Sequence, residues 1–346
     1  MTASRHVRSL LTAEASYEGD QGSVRGVTSD TFPLLRRMSM RRMLLEPGAI
    51  REPHWHANAD ELACCLSGEL LVSVLDTADV FASFTIGAGD MFHVATGSLH
   101  TIENVGDVPA ELIVMFSHEK PEEFSLHAAF GAMTDAVLGN TFGLPSRDIG
   151  ELKRDTGSSV LVRRNAPAEI PPSARYPDPH KFDISGETPP IDHAYGSARL
   201  ARSQYWPALK NLSMYSIEIP ENGMREPHWH PNTAEMGYVH KGRARMSILD
   251  PDGSVDTYEL QPGDAYFIPR SYPHQIEVIG EEDIHFLVFF DQPMPADVGY
   301  RAATSSFSTA VLAATFGVDS ASVPALPLTP VDPLIVPRLN PVDPVA

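Results

Sequence analysis

The segment IREPHWHANADEL at residues 50–62 returns as MREPHWHPNTAEM at residues 224–236, so that His54 recurs as His228. The same offset relates Gly22 and Ser23 to Gly196 and Ser197, Pro33 to Pro207, and Gly68 to Gly242. It also relates Gly89-Asp90 to Gly263-Asp264 and Thr141-Phe142-Gly143 to Thr315-Phe316-Gly317. An ungapped register running from about residue 22 to 143, and again from 196 to 317, means that one packing solution is used twice. The chain therefore divides into an N-terminal arm (1–21), a first domain (22–143), a linker (144–195), a second domain (196–317) and a C-terminal tail (318–346).

Each copy reads as short strands broken by turn residues. ELLVSVLD (69–76) and RARMSILD (243–250) are β-rich, and each follows a Ser-Gly or Lys-Gly turn. The stretch FTIGAGDMFHVATGSLHTIENVGDVPAELIVMF then alternates strand and turn, with glycines at the bends. Closely spaced strands without intervening helices predict an all-β antiparallel sandwich or barrel. SLHAAFGAMTDAVLGNTFG and SSFSTAVLAATFG, which follow the last strands, read as short helices, with Ser308 as an N-cap and Gly317 as the stop. Pro167, Pro171, Pro172, Pro177, Pro179, Pro189 and Pro190 make the linker an extended connector, expected to run over the first domain. The tail carries Pro324, Pro327, Pro330 and Pro333 and cannot be helical. It reads either as extended on a surface, a neighbouring subunit's included, or as disordered.

Composition narrows the function classes. With 26 basic and 45 acidic residues the net charge is −19, which repels phosphate backbones and anionic lipid, so no nucleic acid or membrane partner is expected. No run of about 18 apolar residues offers a membrane span, and the N-terminus lacks the continuous apolar core of a signal peptide, which makes the cytoplasm the default. The adjacent Cys64 and Cys65 offer no disulfide framework. As strand neighbours they face opposite ways, one expected buried and the other half-exposed.

The chemistry lies in a repeated ligand set. His54 and His56 share a strand face, Glu61 follows five residues on, and His100 arrives after a Gly-Asp turn; the second copy has His228, His230, Glu235 and His274. Three imidazoles and a carboxylate suit a borderline divalent metal and leave positions for water or substrate on a six-coordinate ion. Two metal sites per chain are expected. Iron, nickel, cobalt, zinc and manganese all tolerate such a set. Arg51 and Arg225 stand three residues before each HxH, an odd separation that on an ideal strand points them away from the ligands. His93 and His240, also on strands, read as packing residues.

PHWHANADELACCLSG with GDMFHVATGSLHTIEN, and PHWHPNTAEMGYVHKG with GDAYFIPRSYPHQIEV, resemble the paired motifs of the cupin superfamily. The Arg-Glu-Pro lead-in, the HWH triplet and HPNTAE resemble the bicupin oxalate decarboxylase family in particular. The resemblance implies two double-stranded β-helix (jelly-roll) barrels with short helices after each. It implies that each barrel holds Mn2+ through its three histidines and glutamate, and that the chain assembles as a homotrimer or homohexamer. It also implies that Arg51 and Arg225 hold a small carboxylate substrate, with dioxygen as a further partner, in converting oxalate to formate and CO2.

Family decarboxylases carry an acid near the metal, on a lid after the first barrel or on the last strand of the second. Here that strand has Val288, and the first copy has Val114. The lid, SHEKPEEF at 117–124, is shorter than the family's and offers Glu119, Glu122 and Glu123, with His118 as another proton carrier; Glu122 and Glu123 are the candidate catalytic acids. The second copy, DQPMPADV, has Asp291 and Asp297. That imbalance predicts a catalytic first site and a second that chiefly stabilises the fold. Ala95 replaces a usual proline and Ser271 a usual glycine. The competing readings are a cupin dioxygenase or isomerase on another substrate, and a non-catalytic metal-storing bicupin.

Overall fold

A computed structural model describes residues 4–77, 79–152, 154–327 and 332–342. The chain separates into two compact units, Leu10–Gly186 and Glu187–Ala346 with the N-terminal Met1–Ser9. In the first unit a sheet runs, in hydrogen-bonded order, through Lys181–Asp183, Asp90–Val94, Glu61–Ser67, Ala110–Phe116, Ser39–Leu45, Gly22–Val27 and Ala15–Gly19. The facing sheet runs through Glu123–Ser125, Ala49–His56, Leu99–Asn104, Leu70–Thr77 and Val80–Ile86, with Leu161–Arg163 also paired to Ala49–His56. Among the described residues the strand pairings are antiparallel, as expected of turn-linked strands without crossover helices. Alternate side chains of both sheets meet in one core that includes Met43, Leu45, Val72, Val74, Phe84, Phe92, Leu112 and Phe116.

The second unit repeats this plan, with Ile217, Ile219, Met246, Ile248, Ile276, Phe286 and Phe290 in its core. The repeat reaches further than the aligned motifs. Val7–Ser9 pairs with Asp264–Ile268 as Lys181–Asp183, its counterpart at the repeat offset, pairs with Asp90–Val94. The strand that leads each copy is thus built into the other unit. Likewise Leu161–Arg163 lies on Ala49–His56 as Ile335–Pro337 lies on Gly223–Trp229. The proline-rich linker therefore runs over the first unit as two added strands. The tail places a strand on its own second unit, and Pro330 and the last four residues lie outside the described set.

The helices behave as read. Thr134 and Ser308 cap Asp135–Phe142 and Thr309–Phe316 by accepting from Val137 and Val311 N–H, and Gly143 and Gly317 end them at φ 67° and 65°. Among the described residues no helix is long and apolar enough to cross a membrane. The cysteines depart from expectation, because Cys64 and Cys65 are both buried. The Glu61–Ser67 strand is buried at five consecutive positions, so both of its faces are covered and no half-exposed side exists. His240 departs too. It is exposed, with its ring edge-on to His285 at 5.1 Å, whereas His93 is buried beside Asp60.

Candidate metal centres

The strands bring each predicted set to one point. The ligand atoms of His54, His56, Glu61 and His100 lie within 4.8 Å of one another, all buried, and so do those of His228, His230, Glu235 and His274. The ring orientations follow from backbone contacts. His54 donates through Nδ1 to the Glu52 carbonyl at 2.7 Å, and His100 donates to that of Ser98 at 3.0 Å. His228 and His274 repeat this with Glu226 at 2.8 Å and Tyr272 at 2.9 Å. Nδ1 being used in this way, Nε2 is turned to the shared point, as in histidines that ligate metals.

Glu61 Oε2 sits 3.0 Å from His56 Nε2 and 3.2 Å from His100 Nε2. In the second set Glu235 lies 2.8 Å from His230 and accepts the Tyr266 hydroxyl at 2.7 Å. His228 Nε2 and Glu61 Oε1 are buried with no hydrogen-bond partner among the described residues. Uncompensated burial of such atoms is costly, and a cation at the shared point would satisfy them. The donor set therefore fits a divalent ion. Electrostatics agree. Burial first, then Arg51 or Arg225, pushes His54 and His228 well below the ordinary histidine range, keeping them neutral and ready to ligate. Burial alone would raise the Glu61 and Glu235 carboxyls, but their histidine neighbours outweigh it and hold both well below the usual range.

Arg51 is 1% exposed and points inward, against the parity expected from its spacing. The reason is a bulge. His54 pairs with His100 and Arg51 with Ile102, so three residues on one strand span two on its partner. Arg225 does the same against His274 and Ile276. Each guanidinium is held by a main-chain strap and a carboxylate. Arg51 Nη1 donates to the Val160 carbonyl at 3.1 Å and Nη2 to Glu123, while Arg225 donates to Leu334 at 2.9 Å and to Asp297 at 2.9 Å. Val160 and Leu334 sit at φ 58° and 63°, a strained region for non-glycine residues.

Glu123 is also bound by Arg41 at 2.9 Å. Burial would raise its carboxyl, but Arg51 and Arg41 bring it down to about 2. Asp297 accepts from His230 Nδ1 at 3.0 Å, and against the pull of burial Asp297 and Glu235 raise that ring to about 9. At the second site a cavity of about 20 Å³ is lined by Arg225, His228, His230, Glu235 and Asp297, room for one water-sized body.

The cupin model matches residues 8–149 and 183–323. The chain belongs to the cupin family. It is a bicupin related to the oxalate decarboxylases. It is 29% identical over 286 residues to the oxalate decarboxylase OxdC of Bacillus subtilis strain 168, covering 80% of this chain and 73% of the relative. A probable oxalate decarboxylase of Arthroderma benhamiae is 26% identical over 290 residues, covering 80% of this chain and 70% of the relative. A solved Bacillus subtilis oxalate decarboxylase, described for its Mn(II) centres, superposes with a TM-score of 0.85 at 25% identity, over 98% of this chain and 90% of that one.

The lids of this bicupin correct one expectation. Asp297 stands at the repeat offset from Glu123 and holds Arg225 as Glu123 holds Arg51, so the two copies do not differ in having a carboxylate at the arginine. The repeat offset that joins Glu123 to Asp297 is the sequence signal for this equivalence. Glu122, by contrast, is exposed, and its backbone N–H donates to Asn58. Its counterpart is Ala296. His118 and Glu119 bind loop backbone at Lys120 and Arg37, and Asp291 accepts from Thr233 and Ala234. Val114 and Val288 are buried core residues. Arg41, Tyr215, Val160 and Leu334 were missed. The pairing of VLVRR (160–164) with LIVPR (334–338) at the repeat offset was the signal for the straps.

Proposed function

We propose that this bicupin is a metal-dependent carboxy-lyase of the oxalate decarboxylase type, converting oxalate to formate and CO2. The observation that carries the reading is a buried arginine fork at the edge of a three-histidine, one-glutamate cluster, present twice. A guanidinium clamp selects a carboxylate by bidentate geometry. Mn2+ is the ion we assign to both sets, His54, His56, Glu61 and His100 in the first and His228, His230, Glu235 and His274 in the second; such an ion supplies Lewis acidity and, with dioxygen, one-electron chemistry. The relatives described for oxalate and for Mn(II) support the assignment.

The protein's own residues then have definite work. One carboxylate of the oxalate dianion takes the Arg51 fork and displaces Glu123. Freed from Arg51, Glu123 takes up a proton, for which the exposed Glu122 is the proposed relay from solvent. As CO2 leaves, Glu123 gives that proton to the remaining carbon, so that the dianion and one proton become formate and CO2. Arg225 and Asp297 form the corresponding pair at the second site. We also infer assembly as a trimer or hexamer through the helices after each barrel, where Phe142, Val137, Phe316 and Val311 are exposed.

A second reading has one observation in its favour. Buried Val114 and Val288 occupy the last-strand positions where an acid is wanted, so at the first site Glu123 must supply the proton. If it stays on Arg51 and Arg41, the carbon is oxidised instead, giving two CO2 with dioxygen reduced to hydrogen peroxide. The test is to load the protein with manganese, supply oxalate and measure formate, peroxide and oxygen uptake together. Formate with catalytic oxygen use establishes the decarboxylase, and stoichiometric oxygen uptake with peroxide establishes the oxidase. Neither product, in fully loaded protein, sinks both.

A further inference from the structure

The two sites share their three-histidine, one-glutamate set and arginine fork, each with a carboxylate on the fork, yet the wall differs in charge at the position of Arg41. Arg41 lies on Ser39–Leu45, and Tyr215, its counterpart at the repeat offset, lies on Ser213–Ile219. Both pack on the same aromatic step. The Arg41 guanidinium is 4.8 Å above the Phe116 ring, itself 4.7 Å from His56. Tyr215 is 4.9 Å from Phe290, which is 5.0 Å from His230. The shape of the wall is kept and its charge is changed.

At the first site Glu123 is gripped at both oxygens, Oε1 by Arg51 and Oε2 by Arg41. Two guanidiniums facing one carboxylate leave an excess positive charge in a largely buried place. At the second site Asp297 has Arg225 and His230, and Arg202 stands behind Tyr215, donating to its hydroxyl at 3.5 Å. Arg41 also borders a surface groove of about 220 Å³ with Thr28, Thr31 and Ser39, so it joins solvent to the buried fork.

We propose that Arg41 is a specificity-determining residue that, with Arg51, makes the first site select a substrate bearing two anionic groups, while the second site, with Tyr215, selects a single carboxylate. Glu123 occupies the two-arginine cradle in the absence of substrate. A dianion displaces it and keeps both guanidiniums paired, whereas a monoanion leaves one of them unpaired in a buried setting. This rests on the small-carboxylate reading of the site.

The experiment uses manganese-loaded full-length protein carrying His228→Ala and His230→Ala, so that binding reports the first site. Oxalate and formate affinities are measured by calorimetry at neutral pH, where oxalate is doubly ionised. Arg41→Tyr copies the second site and Arg41→Lys keeps the charge without the fork. Metal content and native mass are checked for each, so that a folding failure is visible, and Arg41→Lys serves if Arg41→Tyr misfolds. The expected result is that Arg41→Tyr weakens oxalate roughly tenfold or more and leaves formate unchanged, with Arg41→Lys intermediate. Unchanged oxalate affinity, or equal weakening of both ligands, overturns the assignment of Arg41 alone. A parent protein that binds metal but neither anion overturns the small-carboxylate reading as well.

Discussion

Ser271 shows how a single backbone angle is tied to a candidate metal centre. It sits at φ 67°, where its counterpart Gly97 sits at φ 84°, and each N–H donates to the carbonyl of a histidine of the candidate metal centres, His230 at 3.0 Å and His56 at 2.9 Å. A Cβ at Gly97 would meet nothing within 4 Å, so the cost of a side chain there is conformational and not steric. Ser271→Gly should therefore stabilise the second unit by about 1 kcal/mol and Gly97→Ser destabilise the first by a similar amount, read as opposite shifts in thermal midpoint. His285 carries a pH dependence. It shares a hydrogen bond with Ser216 at 2.8 Å, and burial first, then His240, lowers it to about 4. Its folded value lies below the unfolded one, so the unfolded chain takes up the proton first as pH falls. Stability from this group is complete above about pH 6.5 and is lost progressively towards pH 4, on the order of 1–2 kcal/mol for a partly exposed ring. His285→Gln should flatten the acid dependence of urea unfolding between those limits; an unaltered slope would show that another group titrates there.

At the level of elements, the straps matter more than their length suggests. Ile335 is 2% exposed, and the Leu334 carbonyl accepts both Arg225 Nη1 and the Glu226 N–H at 3.2 Å. Val160 and Leu161 do the same for Arg51 and Glu52. Removing residues 332–346 takes an isoleucine from the core, worth about 1.5–3 kcal/mol, and leaves buried donors unpaired, worth about 1–3 kcal/mol. Calorimetry should show the second unit melting earlier and the first unchanged. An unshifted melt would mean that the tail strand is dispensable. The arginine bulges belong at this level too, since one extra residue in each HxH strand reverses which face the guanidinium meets.

For the whole molecule, duplication sets the expected stoichiometry. Two buried ligand sets predict two transition ions per chain by native mass spectrometry, with His54→Ala and His56→Ala together leaving one. Uptake of none by folded protein would contradict the assignment. The exposed Val137, Phe142, Val311 and Phe316 recur at the repeat offset, so the same apolar face is presented twice. Light scattering should give the mass of a trimer or hexamer, and a single-chain mass at micromolar concentration would count against that assembly.

The constant offset between the two copies, the strand-and-turn pattern and the eight residues that gather in the two clusters were legible in the chain itself, because period, turn chemistry and side-chain type are local properties that duplication makes conspicuous. Local properties also sufficed for Ser308 and Gly317, where a cap depends on neighbours within one turn. The aim of Arg51 and Arg225 was not legible, since parity along a strand holds only until a bulge, and a bulge is decided by pairing with a distant strand. Nor were Arg41, Val160 and Leu334, whose roles arise where the Ser39–Leu45 strand, the linker and the tail close on a barrel wall. Sequence spacing told which residues could share a face. Only tertiary packing decided which carboxylate each buried arginine would hold, because the desolvation that makes those pairs strong exists only once the barrel is closed.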